Sequence, residues 1–98
     1  MAPSNPAKRP SGKKPRTTVQ RVQTGVRLEK RLLKVLKALA EYLDMSLGDL
    51  LEGMVLHNFE GKAPFQSETL SKIAALKEVY GLDLTASDSH RLLEMDPS

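Results

Sequence analysis

The chain lacks cysteine and tryptophan, and its other aromatic residues are only two Tyr and two Phe. Without cysteine it can form no disulfide bond, thiolate nucleophile or thiolate metal site, which fits a reducing compartment. No apolar run approaches the roughly 18 residues of a membrane span, and the N-terminus has no apolar segment typical of a signal peptide. The sequence therefore predicts a cytoplasmic protein with a mostly aliphatic core.

Residues that carry catalysis or bind metals are also scarce. The two histidines, His57 and His90, fall on different predicted helices, and neither belongs to a metal-ligand spacing or a nucleophile motif. No glycine-rich loop follows a strand, and Gly48 and Gly53 lie inside an apolar helical pattern, where close packing explains them. We predict no enzymatic activity, no cofactor and no metal.

Charge is distributed unevenly between the two halves of the 98-residue chain. Residues 1–40 contain eleven Lys and Arg against one acid, whereas residues 41–98 contain four against eleven acids. A basic half favours a polyanionic partner, above all nucleic acid, because neutralised phosphates release counterions. The alternative is that the charges merely keep a tail solvated.

The first segment of the chain is rich in proline and cations. Residues 1–17 hold four of the six prolines, five Lys and Arg, and no large apolar residue after Met1. We predict a disordered basic arm over this segment. Phosphate contacts are expected from these cations and from the arginine that follows, namely from Lys13, Lys14, Arg16 and Arg21.

Helical periodicity begins at Glu29 and continues to about Leu43. The apolar stripe of this predicted helix comprises Leu32, Leu33, Leu36, Leu39, Ala40 and Leu43. Ser46 is a good N-cap, and Asp49 three residues later completes an acidic variant of the capping box. A second helix is therefore predicted from Leu47.

Residues 61–98 are predicted to form an acidic C-terminal helical hairpin. Its first helix begins near Ser67 and ends at Gly81 as the C′ residue. Thr85 and Asp88 resemble another helix cap, which predicts a short last helix through Leu93.

Residues 23–28 alternate between polar and apolar like a half-buried strand, and no second strand follows them. Strand backbone groups need a ladder partner, and a second copy of the chain is the simplest donor. Two such strands would form an antiparallel ribbon, with Thr24, Val26 and Leu28 facing inward and Gln23, Gly25 and Arg27 facing outward. Such a ribbon fits the DNA major groove. The alternative is an extended lead-in to a helical domain.

A helix-turn-helix over residues 39–57 is a competing arrangement. Its second helix would contain no Arg, Lys, Gln or Asn before Asn58, and its acids Asp49 and Glu52 would face phosphates. That composition is electrostatically unsuited to recognition. In a strand-reading dimer the same leucine-rich helix serves as core, and its N-terminus donates N–H groups to a phosphate.

With these features, residues 18–60 resemble the ribbon-helix-helix family of DNA-binding proteins. The resemblance rests on the alternating strand, the leucine-rich first helix, the turn at residues 44–46 and the helix from Leu47. It implies a mainly α fold with one short β-strand, in an intertwined homodimer with an intermolecular two-stranded ribbon, plus the C-terminal helical extension. Two departures are Gly25, where the family usually has a polar side chain, and Asp44, which must adopt a left-handed or bridge conformation where glycine is common.

The resemblance also implies site residues and a function. Base-reading positions fall on Gln23, Gly25 and Arg27, and phosphate contacts on Ser46 and Leu47. We expect a sequence-specific duplex DNA-binding homodimer, a transcriptional repressor acting at the nucleoid. The alternatives are an antitoxin or plasmid-partition protein, with a protein partner for residues 61–98, and a pure protein-interaction module.

Overall fold

The structure is a computed structural model that describes residues 16–95. Within these residues, three α-helices follow one another and one 3-10 turn comes after them. The elements are α1 (Lys30–Tyr42), α2 (Leu47–Phe59), α3 (Ser67–Tyr80) and the 3-10 turn Ala86–Asp88. No helix within this part of the chain is long and apolar enough to cross a membrane.

The predicted strand, and with it the ribbon, is wrong. Residues 16–29 are irregular, and the described part of the chain contains no β-strand. A strand is held by a ladder of hydrogen bonds, and residues 16–28 make no backbone hydrogen bond to another described residue. Val26, predicted to face inward, is 74% exposed, and Thr24 and Leu28 are exposed as well. Of the two interpretations, the irregular lead-in to a helical domain agrees with the structure.

Helix α1 begins where the sequence predicts. Glu29 is its N-cap, and the Glu29 carboxylate accepts a hydrogen bond of 2.8 Å from the Leu32 N–H. Such caps satisfy backbone donors that the first turn leaves unpaired. The buried face of α1 comprises Val35, Leu36, Leu39 and Ala40. Helix α1 lies at the centre of the fold because it contacts both α2 and α3.

The turn between α1 and α2 confirms two predictions. Asp44 has a φ of +59°, the left-handed conformation that its position in the turn requires. Ser46 is the N-cap of α2, and its hydroxyl accepts a hydrogen bond of 3.1 Å from the Asp49 N–H. These two residues direct α2 back against α1.

Helix α2 is covered on one side only. Its Leu50 joins the buried cluster of Leu36, Leu39 and Ala40, but no other α2 residue is fully buried. The far side of α2 exposes Val55, Leu56 and Phe59, of which Phe59 is 81% exposed. Neighbouring exposed apolar side chains of this kind mark a surface where another molecule can bind.

The C-terminal segment matches the prediction up to its last helix. Helix α3 ends at Tyr80 and is capped by Gly81, whose φ of +66° is the left-handed conformation that glycine adopts most easily. Thr85 and Asp88 form the predicted capping box, but it opens only a three-residue 3-10 turn. The expected helix through Leu93 is wrong. His90, with a φ of +67°, cannot continue a helix, and Leu93 has no covering neighbour.

The Glu29 cap makes part of the stability depend on pH. The Leu32 N–H, and secondarily the Arg31 guanidinium, lower the pKa of Glu29 below its ordinary value. A carboxyl with a lowered folded-state pKa stabilises the fold above the unfolded-state pKa, and this contribution disappears as pH falls through the folded-state pKa. Glu29→Gln should therefore lower the free energy of unfolding near pH ~7, and the difference from wild type should vanish near pH ~2.

Chemical denaturation of both chains at several pH values checks this expectation. Glu78→Gln is the matched control, because Glu78 is exposed and forms no ion pair with another described residue. A Glu29→Gln difference that persists unchanged at low pH would show that the charge of the cap is unimportant.

Candidate nucleic-acid interface

Three lysines form a stripe along the solvent side of α1. Lys30, Lys34 and Lys37 are all exposed, and none forms an ion pair with a described residue. At 100° and 1.5 Å per residue they share one face, opposite the buried leucines, and span about 10 Å. We call these three residues the α1 lysine stripe. The stripe lies on a rigid helix and faces solvent, and one exposed acid, Glu41, lies on the same face one turn after Lys37.

Most arginine side chains in the described part of the basic half, by contrast, form ion pairs with carboxylates. Arg21 donates through Nε and Nη2 to the two carboxylate oxygens of Glu52, each at 2.8 Å, and lies 3.7 Å from Asp49. These two hydrogen bonds and the attraction between the opposite charges lower the pKa of Glu52 and raise the pKa of Arg21. The predicted phosphate contact Arg21 is therefore bound to α2.

Two further arginines contact acids of the C-terminal segment. Arg31 donates to Asp83 at 3.0 Å and to the Gly81 carbonyl at 2.9 Å. Arg27 is paired with Glu94. The side chains of Arg21, Arg27 and Arg31 are all at least partly exposed. Exposed ion pairs contribute only about 0–1 kcal/mol each. A phosphate can therefore replace these carboxylates at small cost.

The predicted base-reading residues lie together in the irregular segment before α1. Gln23, Gly25 and Arg27 are all exposed. The alternation that was expected to separate them from inward-facing neighbours is not seen, since every residue from 23 to 28 is exposed. Their role in reading bases stays a prediction, and it has no support from a ribbon.

The start of α2 offers two free backbone donors. Neither the Leu47 N–H nor the Gly48 N–H donates to another described residue. Ser46 is exposed, but its hydroxyl is used by the cap, and the Asp49 carboxylate lies in the first turn. This acid competes with a phosphate for the helix terminus. The predicted phosphate contacts at Ser46 and Leu47 therefore face a like charge.

Most of the predicted basic arm, residues 1–17, lies outside the residues that the structure describes. Lys13 and Lys14 lie outside the described residues, whereas Arg16 is exposed and forms no ion pair with a described residue. Arg16 and the α1 lysine stripe are thus the free cations of the described part of the basic half.

The lysine stripe is the feature that the sequence-based site prediction missed. Its signal was present, because Lys30, Lys34 and Lys37 recur at helical spacing opposite the apolar stripe.

Residues 16–95 give little support for a metal site or for catalysis by a histidine. No group of three or more His, Asp or Glu side chains there could hold a metal ion. His57 makes a hydrogen bond of 2.7 Å between its Nδ1 and the Gly53 carbonyl one turn earlier. That contact is local to α2 and places no nucleophile or acid beside the imidazole.

Comparison of the chain with protein-family models, with curated proteins and with solved structures gave no match.

Proposed function

We propose that this protein binds duplex DNA as a homodimer and represses transcription, with the α1 lysine stripe as its principal phosphate-binding surface. The observation that carries the proposal is the set of three unpaired lysines on one helical face, adjoining a basic N-terminal segment. A protein that neutralises phosphates releases the cations condensed on DNA, which favours binding. The site of action would be the nucleoid in the cytoplasm.

Charge geometry favours DNA over a flexible polyanion. A rigid stripe of about 10 Å matches about three phosphates along one strand of a B-form duplex, at one charge per ~3.4 Å of the duplex axis. Helix α2 is unsuited to this contact because its exposed polar residues near the N-terminus, Asp49 and Glu52, are acidic. Asp49 and Glu52 lie on a different helix from the stripe, and Glu41 is the one acid within α1.

A second copy of the chain is the proposed cover for the far side of α2. A 98-residue chain buries a modest core, and association is a common remedy in small proteins. Val55, Leu56 and Phe59 supply adjacent apolar side chains for such a contact. Pairing two chains would also double the number of phosphate contacts in one complex.

The test is a titration of a fluorescent duplex with the intact chain at salt concentrations from about 50 to 200 mM. We expect the logarithm of the binding constant to fall linearly with the logarithm of salt, by about 0.9 per phosphate contact. Sedimentation of the same sample should give the mass of two chains. An absence of duplex binding at about 150 mM salt would contradict the function and favour a protein-interaction module.

A further inference from the structure

A cavity of about 420 Å³ lies between α1, α3 and the segment that follows α3. Its walls are mainly aliphatic, and include Leu32, Leu36, Leu39, Ile73, Leu84 and Leu92. Residues 82–92 close one side, so the space is a cleft with walls on several sides rather than a flat apolar face. Its volume lies near the lower end of the range of about 300–1,000 Å³ for small-molecule sites.

A few polar groups converge on the same cavity. Lys77, from the last turn of α3, lines it, is half-buried, and forms no ion pair with a described residue. Asp88 also lines it, but Oδ2 of its carboxylate accepts hydrogen bonds from the N–H and hydroxyl of Thr85. His90 lines the rim in a left-handed conformation, which is uncommon for a residue other than glycine.

We propose that this cavity binds a small aliphatic carboxylate. Its hydrocarbon chain would lie against the leucines of α1, and its carboxylate would pair with the Lys77 ammonium. The choice of an anion follows from the lining: the Lys77 ammonium forms no ion pair with a described residue, whereas the Asp88 carboxylate, which keeps its negative charge, is held by Thr85 in the 3-10 turn. A half-buried ammonium gains more from an anionic partner than an exposed one does, because water screens it less.

The shape of the site favours a small molecule over a protein segment. An amphipathic helix docks in a long groove through anchors spread over two turns. This cavity is instead bounded on one side by residues 82–92 and has a volume of about 420 Å³, which is the size of a small-molecule site. The site is independent of the α1 lysine stripe, since it lies on the opposite, apolar side of α1.

The probes are octanoate, octanol and octylammonium, which share one chain and differ in head-group charge. Calorimetric titration of the intact protein should show octanoate binding most tightly and octylammonium most weakly. Octanoate should also raise the thermal midpoint with increasing concentration, as a ligand of the folded state does. Equal or tighter binding of octylammonium would overturn the assigned charge, and no binding of octanoate or octanol would overturn the site.

Two variants locate the binding. Lys77→Met should weaken octanoate binding by about tenfold or more and leave octanol binding unchanged, since only the carboxylate loses its partner. Retained octanol binding shows that the variant is folded. Lys72→Met is the matched control, because Lys72 lies over the Tyr42 ring outside the cavity. Ala86→Phe, which fills the exposed edge of the cavity, should abolish binding of both octanoate and octanol. Octanoate binding that is unchanged in Lys77→Met or in Ala86→Phe would refute the assignment.

Discussion

Replacing Leu39 by alanine is expected to lower the free energy of unfolding by about 2 to 5 kcal/mol. Leu39 is 2% exposed, which is the lowest exposure among the buried apolar side chains of residues 16–95. It lies on the face of α1 that joins α2 and α3, so truncation leaves a cavity at the centre of the fold. Small domains are stable by only about 5 to 15 kcal/mol, so this loss is a large fraction of the total.

Urea denaturation followed by circular dichroism measures the change. Leu93→Ala is the matched control, because the same side chain is removed from a position that is 97% exposed. Its free energy of unfolding should stay within about 0.5 kcal/mol of wild type. Equal losses in the two variants would mean that Leu39 is not at the centre of the core.

Helices and their caps could be predicted from the sequence because their signals are local. The period of the apolar residues places α1, and Ser46 and Gly81 mark the start of α2 and the end of α3. Each of these signals acts through hydrogen bonds within a few residues. Local chemistry of this kind does not depend on which other elements the chain contains.

The strand prediction was wrong because a strand depends on a distant partner and not on local signals. Alternation over residues 23–28 describes the side chains a strand would have, but a strand exists only where another strand supplies its hydrogen bonds. No described segment of this chain supplies one. The short helix predicted through Leu93 failed similarly, because a capping box can open a single 3-10 turn as well as a helix.

Positions of charged side chains were predictable only in part. Helical spacing alone puts Lys30, Lys34 and Lys37 on one face, but it does not reveal which cations meet a carboxylate. The pairs Arg21 with Glu52 and Arg31 with Asp83 join residues 31 and 52 positions apart in the sequence. Long-range pairs of this kind follow from the fold and have no local signal.

Replacing the α1 lysine stripe by glutamine is expected to weaken duplex binding by about a hundredfold near 0.1 M salt. Each lost phosphate contact also flattens the salt dependence by about 0.9. Glutamine keeps the length of the side chain and favours helix, so α1 should persist. The triple variant Lys30→Gln, Lys34→Gln, Lys37→Gln therefore removes charge with little change in structure.

The control variant removes the same charge elsewhere. Lys62→Gln, Lys72→Gln and Arg91→Gln together also delete three cations, from positions that lie outside α1. Any loss that follows from net charge alone is equal in the two triple variants. A difference between them therefore reports the position of the cations.

The most direct measurement is the binding constant of one duplex for wild type and the two triple variants across the same range of salt. Binding through the α1 lysine stripe requires the stripe variant to bind about a hundredfold more weakly with a flatter salt dependence, while the control variant stays close to wild type. Equal losses in both variants, or a stripe variant that binds like wild type, would contradict the α1 lysine stripe as the DNA-binding surface.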